Sequence, residues 1–311
     1  MQTTRKPGMT ANIPLLTVTV LELIEQMADR LDAAGLSFAD GYGQGTTNSF
    51  DEAAWLVLWK LGLQLDDLES VESTPVSPED LAQVALLVDT RITSRKPAAY
   101  LTNEAWLMGV PFYVDERVII PRSLIAELLV DGSIDDRLSN ETHKVLDLCT
   151  GNGSLAILTA MTYPDVSVDA ADISPDALAV ARINVNRHQL AERITLIESD
   201  GLINCPGGYD LILCNPPYVN AASMAALPAE FRAEPGLALS GNMHGGIDGM
   251  DFIRSLFLTI AAQMNENAVL VMEIGNERAH FERSFPHLKP FWFETSAGTD
   301  QVLLLTREQL V

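Results

Sequence analysis

The chain has 311 residues, 47% of them hydrophobic and 20% charged, with a formal net charge of −22. That length accommodates two domains, or one with a substantial extra module, and the composition is that of a globular protein rather than a disordered, fibrous or membrane-spanning one. The acidic balance opposes sequence-independent binding to nucleic acid, because phosphate contacts need clustered Lys and Arg and only 20 are spread along the chain. A basic protein partner fits better, although acidity can equally serve solubility alone.

Near the start, Arg5 and Lys6 precede an apolar stretch from Ile13 to Leu21 that Glu22 and Glu25 interrupt, with no clean small-residue cleavage site. It reads as an amphipathic helix, not a signal peptide. Thr17 and Thr19 can cap a helix whose apolar positions Leu21, Ile24, Ala28 and Leu31 follow a three-to-four spacing, ending near Gly35. Ser49 with Glu52 three residues later is a capping-box pattern opening the run from Ala53 to Leu63. That run is the best candidate for a membrane span, but it is too short and Lys60 breaks it. Ser77, Pro78 and Glu79 supply an N-cap, a proline at the first helical position and an acid in the first turn, leading into Leu81 to Ile92. Residues 1–105 are therefore expected to form an N-terminal helical domain.

From Pro111 to Ile120 aromatic, β-branched and charged residues alternate around Asp115-Glu116, which suggests a short hairpin at the entry to a second domain, 106–311. Beyond a polar stretch from Asp131 to His143, strand-like runs alternate with helical segments. They span Lys144 to Leu148, Val166 to Ile173, Ile194 to Ser199, Tyr209 to Cys214, Ala268 to Ile274 and Val302 to Leu305. This order implies an α/β fold with a mostly parallel, doubly wound, Rossmann-like sheet, which binds ligands at the carboxyl ends of its strands. Cys149, Cys205 and Cys214 show no Cys-x-x-Cys spacing and no histidine at ligand intervals, so reduced thiols and no metal site are expected, as in the cytoplasm.

The first of these strands runs into Asp147-Leu148-Cys149-Thr150-Gly151-Asn152-Gly153-Ser154. This glycine-containing turn opens a helix, where unpaired N–H groups face a ligand. Asp147 can accept from a ligand's ammonium group or position the loop. By itself the pattern serves a dinucleotide, a phosphate or merely a tight turn. The next strand ends at Asp172, beside Ile173, where an acid can accept both ribose hydroxyls of an adenosyl ligand or simply close the strand. Asp200 ends the third, and can accept from an adenine amino group, with Gly201 and Leu202 beside the ring, or stand as a loop acid in water.

Asn215-Pro216-Pro217-Tyr218 follows the apolar strand Leu211-Ile212-Leu213-Cys214. An amide nitrogen is a poor nucleophile because its lone pair is delocalised into the carbonyl, so a catalyst must fix both N–H groups and aim the nitrogen. The side-chain oxygen of Asn215 and the carbonyl of Pro216 could supply the two acceptors, while the prolines stiffen φ and add no competing donor. Tyr218 could pack its ring on the planar target group.

The tetrapeptide, the Asp147 to Gly153 loop, and Glu234-Pro235 followed by Leu237-Ala238-Leu239 together resemble the class I glutamine-N5 protein methyltransferases. Ala99-Tyr100-Leu101-Thr102-Asn103-Glu104-Ala105-Trp106, Phe112-Tyr113-Val114-Asp115-Glu116-Arg117 and Ile120-Pro121-Arg122-Ser123 look like the branch acting on the third large-subunit ribosomal protein. The release-factor branch usually carries Pro-Arg-Pro-Glu-Thr-Glu where this chain has Pro-Arg-Ser-Leu-Ile-Ala-Glu. The resemblance runs from about Ala28 to Leu305. It implies a class I methyltransferase sheet and S-adenosylmethionine as cofactor. It further implies that Asp147, Thr150, Gly151, Asn152 and Gly153 hold the methionine moiety, and that Asp172 and Ile173 hold the ribose. Asp200 and Gly201 then hold the adenine, and Asn215 to Tyr218 the target glutamine, with Asn215 also beside the cofactor. Two departures stand out: Ser240 to Gly249, with His244 and Asp248, is longer than the family's compact turn, and Gly201 replaces a usual aromatic or bulky residue. The competing expectations are a release-factor glutamine methyltransferase, an adenine-N6 nucleic-acid methyltransferase, which presents a similar planar target, and a cofactor-sensing protein without turnover.

Overall fold

The computed structural model describes residues 18–36 and 45–311. Arg5, Lys6, the stretch from Ile13 as far as Thr17 and the cap expected there lie outside the described residues. The described chain divides into two compact units, 18–36 with 48–93, and 45–47 with 94–311.

The first unit is helical. Val20–Ala33 opens on a capping box, in which Thr19 accepts from the Glu22 backbone and the Glu22 carboxylate accepts from the Thr19 N–H at 2.9 Å. Ile24, Ala28 and Leu31 are buried as their spacing predicts; Leu21 is only half-buried, and Val20, Leu23 and Met27 complete the inward face. The helix Ser49–Leu61 starts differently from the capping box expected at Ser49 and Glu52. Asn48 is the cap, its Oδ1 accepting from the Asp51 N–H at 2.9 Å, and Ser49 is the first helical residue. Glu52 cannot reach back because its carboxylate is buried against Arg91, with Nε to Oε1 at 2.7 Å. Asn48→Ala is therefore expected to destabilise this unit by about 1 kcal/mol. Ser49→Ala should cost less than about 0.5 kcal/mol, and urea denaturation of the two variants checks the assignment. The third long helix, Pro78–Ser94, begins as expected, with the Ser77 hydroxyl accepting from the Asp80 N–H at 3.1 Å.

In the second unit a short helix, Ala98–Thr102, leads into a hairpin, β1 (Ala105–Leu107) and β2 (Val110–Phe112). This corrects the hairpin expected at 111–120: the turn is Met108-Gly109, with φ of 50° and 77°. Two successive positive φ values match the right-handed twist of the paired strands. Asp115 does form a turn, accepting from the Arg117 N–H at 3.1 Å, but no return strand follows. From Ile119 to Ser123 the chain instead runs without helix or strand, as a strap held by side chains of other segments.

A seven-stranded sheet follows, built from β3 (Lys144–Leu148), β4 (Ser167–Asp172), β5 (Ile194–Glu198), β6 (Tyr209–Cys214), β7 (Met264–Glu273), β8 (Phe291–Trp292) and β9 (Val302–Thr306). The order is β5-β4-β3-β6-β7-β9-β8, parallel from β5 to β7, with β9 antiparallel to both its neighbours. Each expected strand is present. β7 starts four residues earlier than its apolar run, at Met264, and the Asn265 amide ties this polar front half to the Gly208 carbonyl and to Asp210. Helices such as Ser154–Thr162 and Asp251–Phe257 cover the two faces, making two apolar cores. The order of strands reverses between β3 and β6, whose register pairs Leu148 with Cys214. The residues that follow both strands, Cys149 and Asn215, thus emerge side by side at the crevice where such sheets take ligands.

Candidate active site

Two adjoining lobes occupy this crevice. The larger, of about 760 Å³, is lined by Gly151, Asp172, Ile173, Asp200, Gly201, Asn215 and Pro217, with Arg117 to Ile119 at the start of the strap and the later segment's Pro235, Leu237 and Met243. The smaller, of about 350 Å³, is lined by Thr150, Asn152, Ser154, Pro121, Arg122 and Ser123. Ile119, Cys149, Gly151 and Asn215 form the wall common to both. The structure thus brings together most of the residues singled out from the sequence. Asp147, Gly153, Pro216 and Tyr218 line neither lobe.

Asp147 lies beneath the loop. Its Oδ2 accepts from the Thr150 hydroxyl at 2.5 Å and the Ala156 N–H at 2.9 Å, which fixes the loop onto the start of the Ser154–Thr162 helix. Its Oδ1 is buried with no hydrogen-bond partner among the described residues, and the Asn152 amide nitrogen shares that condition. Burial pushes the Asp147 carboxyl up to about 7 against the pull of the Thr150 and Ala156 donors. Gly151 and Gly153 have φ of 55° and 84°, and Cys149 also sits in the left-handed region at 62°. Asp172 holds the other side of the loop: its two oxygens accept from the Gly151 and Ser174 N–H groups, each at 2.9 Å. A carboxylate offers about four acceptor positions, so acceptor capacity remains for a ligand's hydroxyl. Burial raises the Asp172 carboxyl while those N–H donors lower it. Asp200 is exposed at the far end of the lobe.

At the end of β6, Pro216 and Pro217 are buried and Asn215 is half-buried. Among the described residues no side chain or backbone group bonds the Asn215 amide, which leaves it free on the wall between the lobes. Tyr218 is anchored within the fold. Its ring lies so close to Gly275 that a Cβ there would come within 2.6 Å of it, and its hydroxyl donates to Glu273 at 3.4 Å. Burial, then the Glu273 charge, raises the Tyr218 phenol.

Two carboxylates carry a role that sequence patterns do not display. Glu234 accepts from both terminal nitrogens of Arg122, at 2.6 and 2.8 Å, and from the Ile120 N–H at 3.0 Å. Glu273, at the end of β7, accepts from the Ser123 hydroxyl at 2.6 Å, the Leu124 N–H at 2.9 Å and Tyr218. Together they pin the strap across the crevice and join it to the tetrapeptide. The quoted motifs contained Arg122, Ser123 and Glu234, but nothing in their spacing disclosed the partners; Glu273 carried only the signal of an acid ending an apolar strand.

The long segment after Ser240 folds on itself. Asp251 accepts from the His244 and Gly246 N–H groups at 2.9 Å, Asn242 accepts from the Gly249 N–H at 2.9 Å, and Asp248 pairs with Arg254, which lowers its carboxyl to about 2. Cys149, Cys205 and Cys214 are free thiols, and the neighbouring Cys214 first, then burial, raises the Cys149 thiol. Among the described residues no cluster of His, Cys, Asp or Glu could hold a metal ion, and no helix is long and apolar enough to cross a membrane.

Comparison with known proteins agrees with this geometry. A family model, the methyltransferase small domain, matches residues 127–238. The catalytic domain of hMettl16, solved in complex with MAT2A 3′UTR hairpin 1, shares the fold with a TM-score of 0.50 over 81% of this chain and 89% of that one, at 14% identity. A ribosomal protein uL3 glutamine methyltransferase of Bordetella pertussis is 48% identical over 94% of this chain and 96% of its own length. Those of Burkholderia pseudomallei and of Neisseria meningitidis serogroup B are each 46% identical over 94% of this chain. Sequence identity of this degree along nearly the whole chain, with the acid-ended strands and the Asn215 to Tyr218 turn set around one crevice, makes this protein a member of the ribosomal protein uL3 glutamine methyltransferase family.

Proposed function

We propose that this enzyme transfers a methyl group from S-adenosylmethionine to the side-chain nitrogen N5 of a glutamine in ribosomal protein uL3. The observation that carries this reading is the Asn215 amide, unengaged by the protein and standing on the wall between a cleft for a cofactor and a lobe for a side chain. The cofactor's residues fit. The cleft is within the range of about 300–1,000 Å³ usual for small ligands. β4 ends on Asp172, which lines the cleft, Asp200 lines it two residues beyond the end of β5, and beneath the loop Asp147 keeps a buried oxygen with no hydrogen-bond partner among the described residues.

S-adenosylmethionine supplies a methyl group already activated by the positive sulfonium. What remains for the protein is orientation and charge. Asn215 Oδ1 and the Pro216 carbonyl accept from the two amide N–H groups, hold the nitrogen in line with the methyl, and stabilise the positive charge that develops on it. The prolines rule out a competing N–H at this turn. The proton leaves to water after transfer, when the alkylated nitrogen has become strongly acidic. The helical unit of residues 18–36 and 48–93 is assigned to recognition of the protein substrate, and the net charge of −22 suits a basic ribosomal protein. A ribosomal substrate places the enzyme in the cytoplasm.

Mass spectrometry after incubation with isotope-labelled cofactor tests the assignment, with uL3 and a peptide-chain release factor compared. Label on a uL3 glutamine alone is the expected result. Label on the release factor alone moves the chain to the sister branch, and label on neither removes the assignment.

The Asp147 carboxyl gives a pH signature. Its folded value is raised, so its contribution to stability is full below the ordinary carboxylate range and is lost as pH rises toward about 7. Pairing with a ligand ammonium requires the ionised form, so cofactor affinity should strengthen from pH 6 to pH 8 with release of a proton. Calorimetry across that range reads it, and in Asp147→Asn the affinity should be weaker and flat with pH.

A further inference from the structure

The two departures from the family's pattern, Gly201 and the longer 240–249 segment, converge on one place in the fold. Past the Asp200 end of the cofactor cleft lies a second chamber of about 1,060 Å³, whose apolar wall comes from Leu202, Ile203, Met243, Phe252 and Leu256. Ile173, Asp200, Gly201, Met243 and Phe252 line the cleft and the chamber alike, so the two adjoin across these residues. Gly201 has no side chain to part them. It sits at φ 55°, and no atom lies within 4 Å of the point a Cβ would occupy. An aromatic or bulky residue here would extend into that open space.

We propose that this chamber is a binding site for adenosyl ligands carrying an aromatic or alkyl substituent on the adenine amino nitrogen. The inference rests on the reading that Asp200 receives the adenine amino group. On that reading the amino nitrogen stands at the junction of the two cavities, because Asp200 lines both. A singly substituted amino group keeps one N–H for the Asp200 carboxylate and sends its substituent into the chamber, whereas a doubly substituted one has no donor left. Burying an aromatic group against Ile203, Met243 and Phe252 is favourable in proportion to the apolar area removed from water.

The test is calorimetry with S-adenosylhomocysteine, its N6-benzyl derivative and its N6-benzyl-N6-methyl derivative. The wild-type protein is compared with Ile203→Trp and Ser255→Phe, two exposed positions that line the chamber and not the cleft. The benzyl derivative should bind at least as tightly as the parent compound, by apolar burial about tenfold more tightly. Each filled-chamber variant should weaken it by about tenfold or more while leaving the parent's Kd unchanged, which also certifies that the variant is folded. The N6-benzyl-N6-methyl derivative should be weaker than the benzyl one. A benzyl derivative that binds more weakly than the parent, or that both variants bind as tightly as the wild type does, overturns the proposal and leaves the cofactor reading standing. Failure of S-adenosylhomocysteine itself to bind overturns both.

Discussion

Replacing Asn215 with alanine should lower turnover by about 10²–10³-fold, the usual cost of removing one preorganised polar group from a reacting centre. The substrate amide then loses the acceptor that fixes one of its two N–H groups, and the nitrogen is no longer held in line with the methyl. Cofactor affinity should change little, because Asp172 and Gly151, which line the cofactor cleft, and the Asp147 tie beneath their loop are untouched. Asn215→Asp separates the acceptor role from others. Its carboxylate still accepts from the substrate and favours the positive charge developing on the nitrogen, so it should retain more turnover than alanine. Single-turnover methyl transfer to uL3, paired with calorimetry of S-adenosylhomocysteine, reads both quantities. An alanine variant that loses cofactor binding but turns over normally when saturated would assign Asn215 to the cofactor alone.

The sheet was legible in the sequence because its central strands, such as Leu211 to Cys214 and Ala268 to Met272, are buried and read as apolar runs between turn and helix signals. β8 was not, since two residues, Phe291 and Trp292, can show no periodicity. The hairpin was misplaced because alternation is only a local signal. Met108-Gly109 closes it through backbone conformation, and the alternating residues after it are fixed by distant side chains, Tyr100 on the Val118 carbonyl and Glu234 on the Ile120 N–H. At the N-terminal unit, Asn48 took the cap that Ser49 seemed suited to because Glu52 was claimed by Arg91, 39 residues away in sequence. In the crevice, the residues of the loop and tetrapeptide were legible since chain neighbours stay together. What escaped was the carboxylate framework, whose partners lie 112 and 150 positions apart. Tyr218 shows the same limit: its residue type suggested a platform for substrate, and the packing of its ring against Gly275 and its bond to Glu273 lie outside any sequence pattern.

Glu234→Ala should destabilise the second unit by up to about 3–5 kcal/mol, the cost of removing one partner from a fully buried ion pair, lessened here because the Arg122 side chain keeps 28% exposure. Glu234 is almost wholly buried, at 4% exposure, and its loss strands the Arg122 guanidinium and orphans the Ile120 N–H together. The strap between Ile119 and Ser123 walls both lobes, so the same change should also impair methyl transfer. The double variant Arg122→Met with Glu234→Leu distinguishes a fold requirement from a positioning one. With both charges gone and the volume refilled, no unpaired guanidinium remains, and most of the stability should return, short of the roughly 1–3 kcal/mol owed to the Ile120 N–H. Activity should not return with it, because the bidentate tie that sets the strap over the glutamine lobe is absent. Urea denaturation and methyl transfer to uL3 measure the two effects separately. A double variant that regains stability and full activity would show that the strap finds its place without the ion pair, and that Glu234 serves the fold alone.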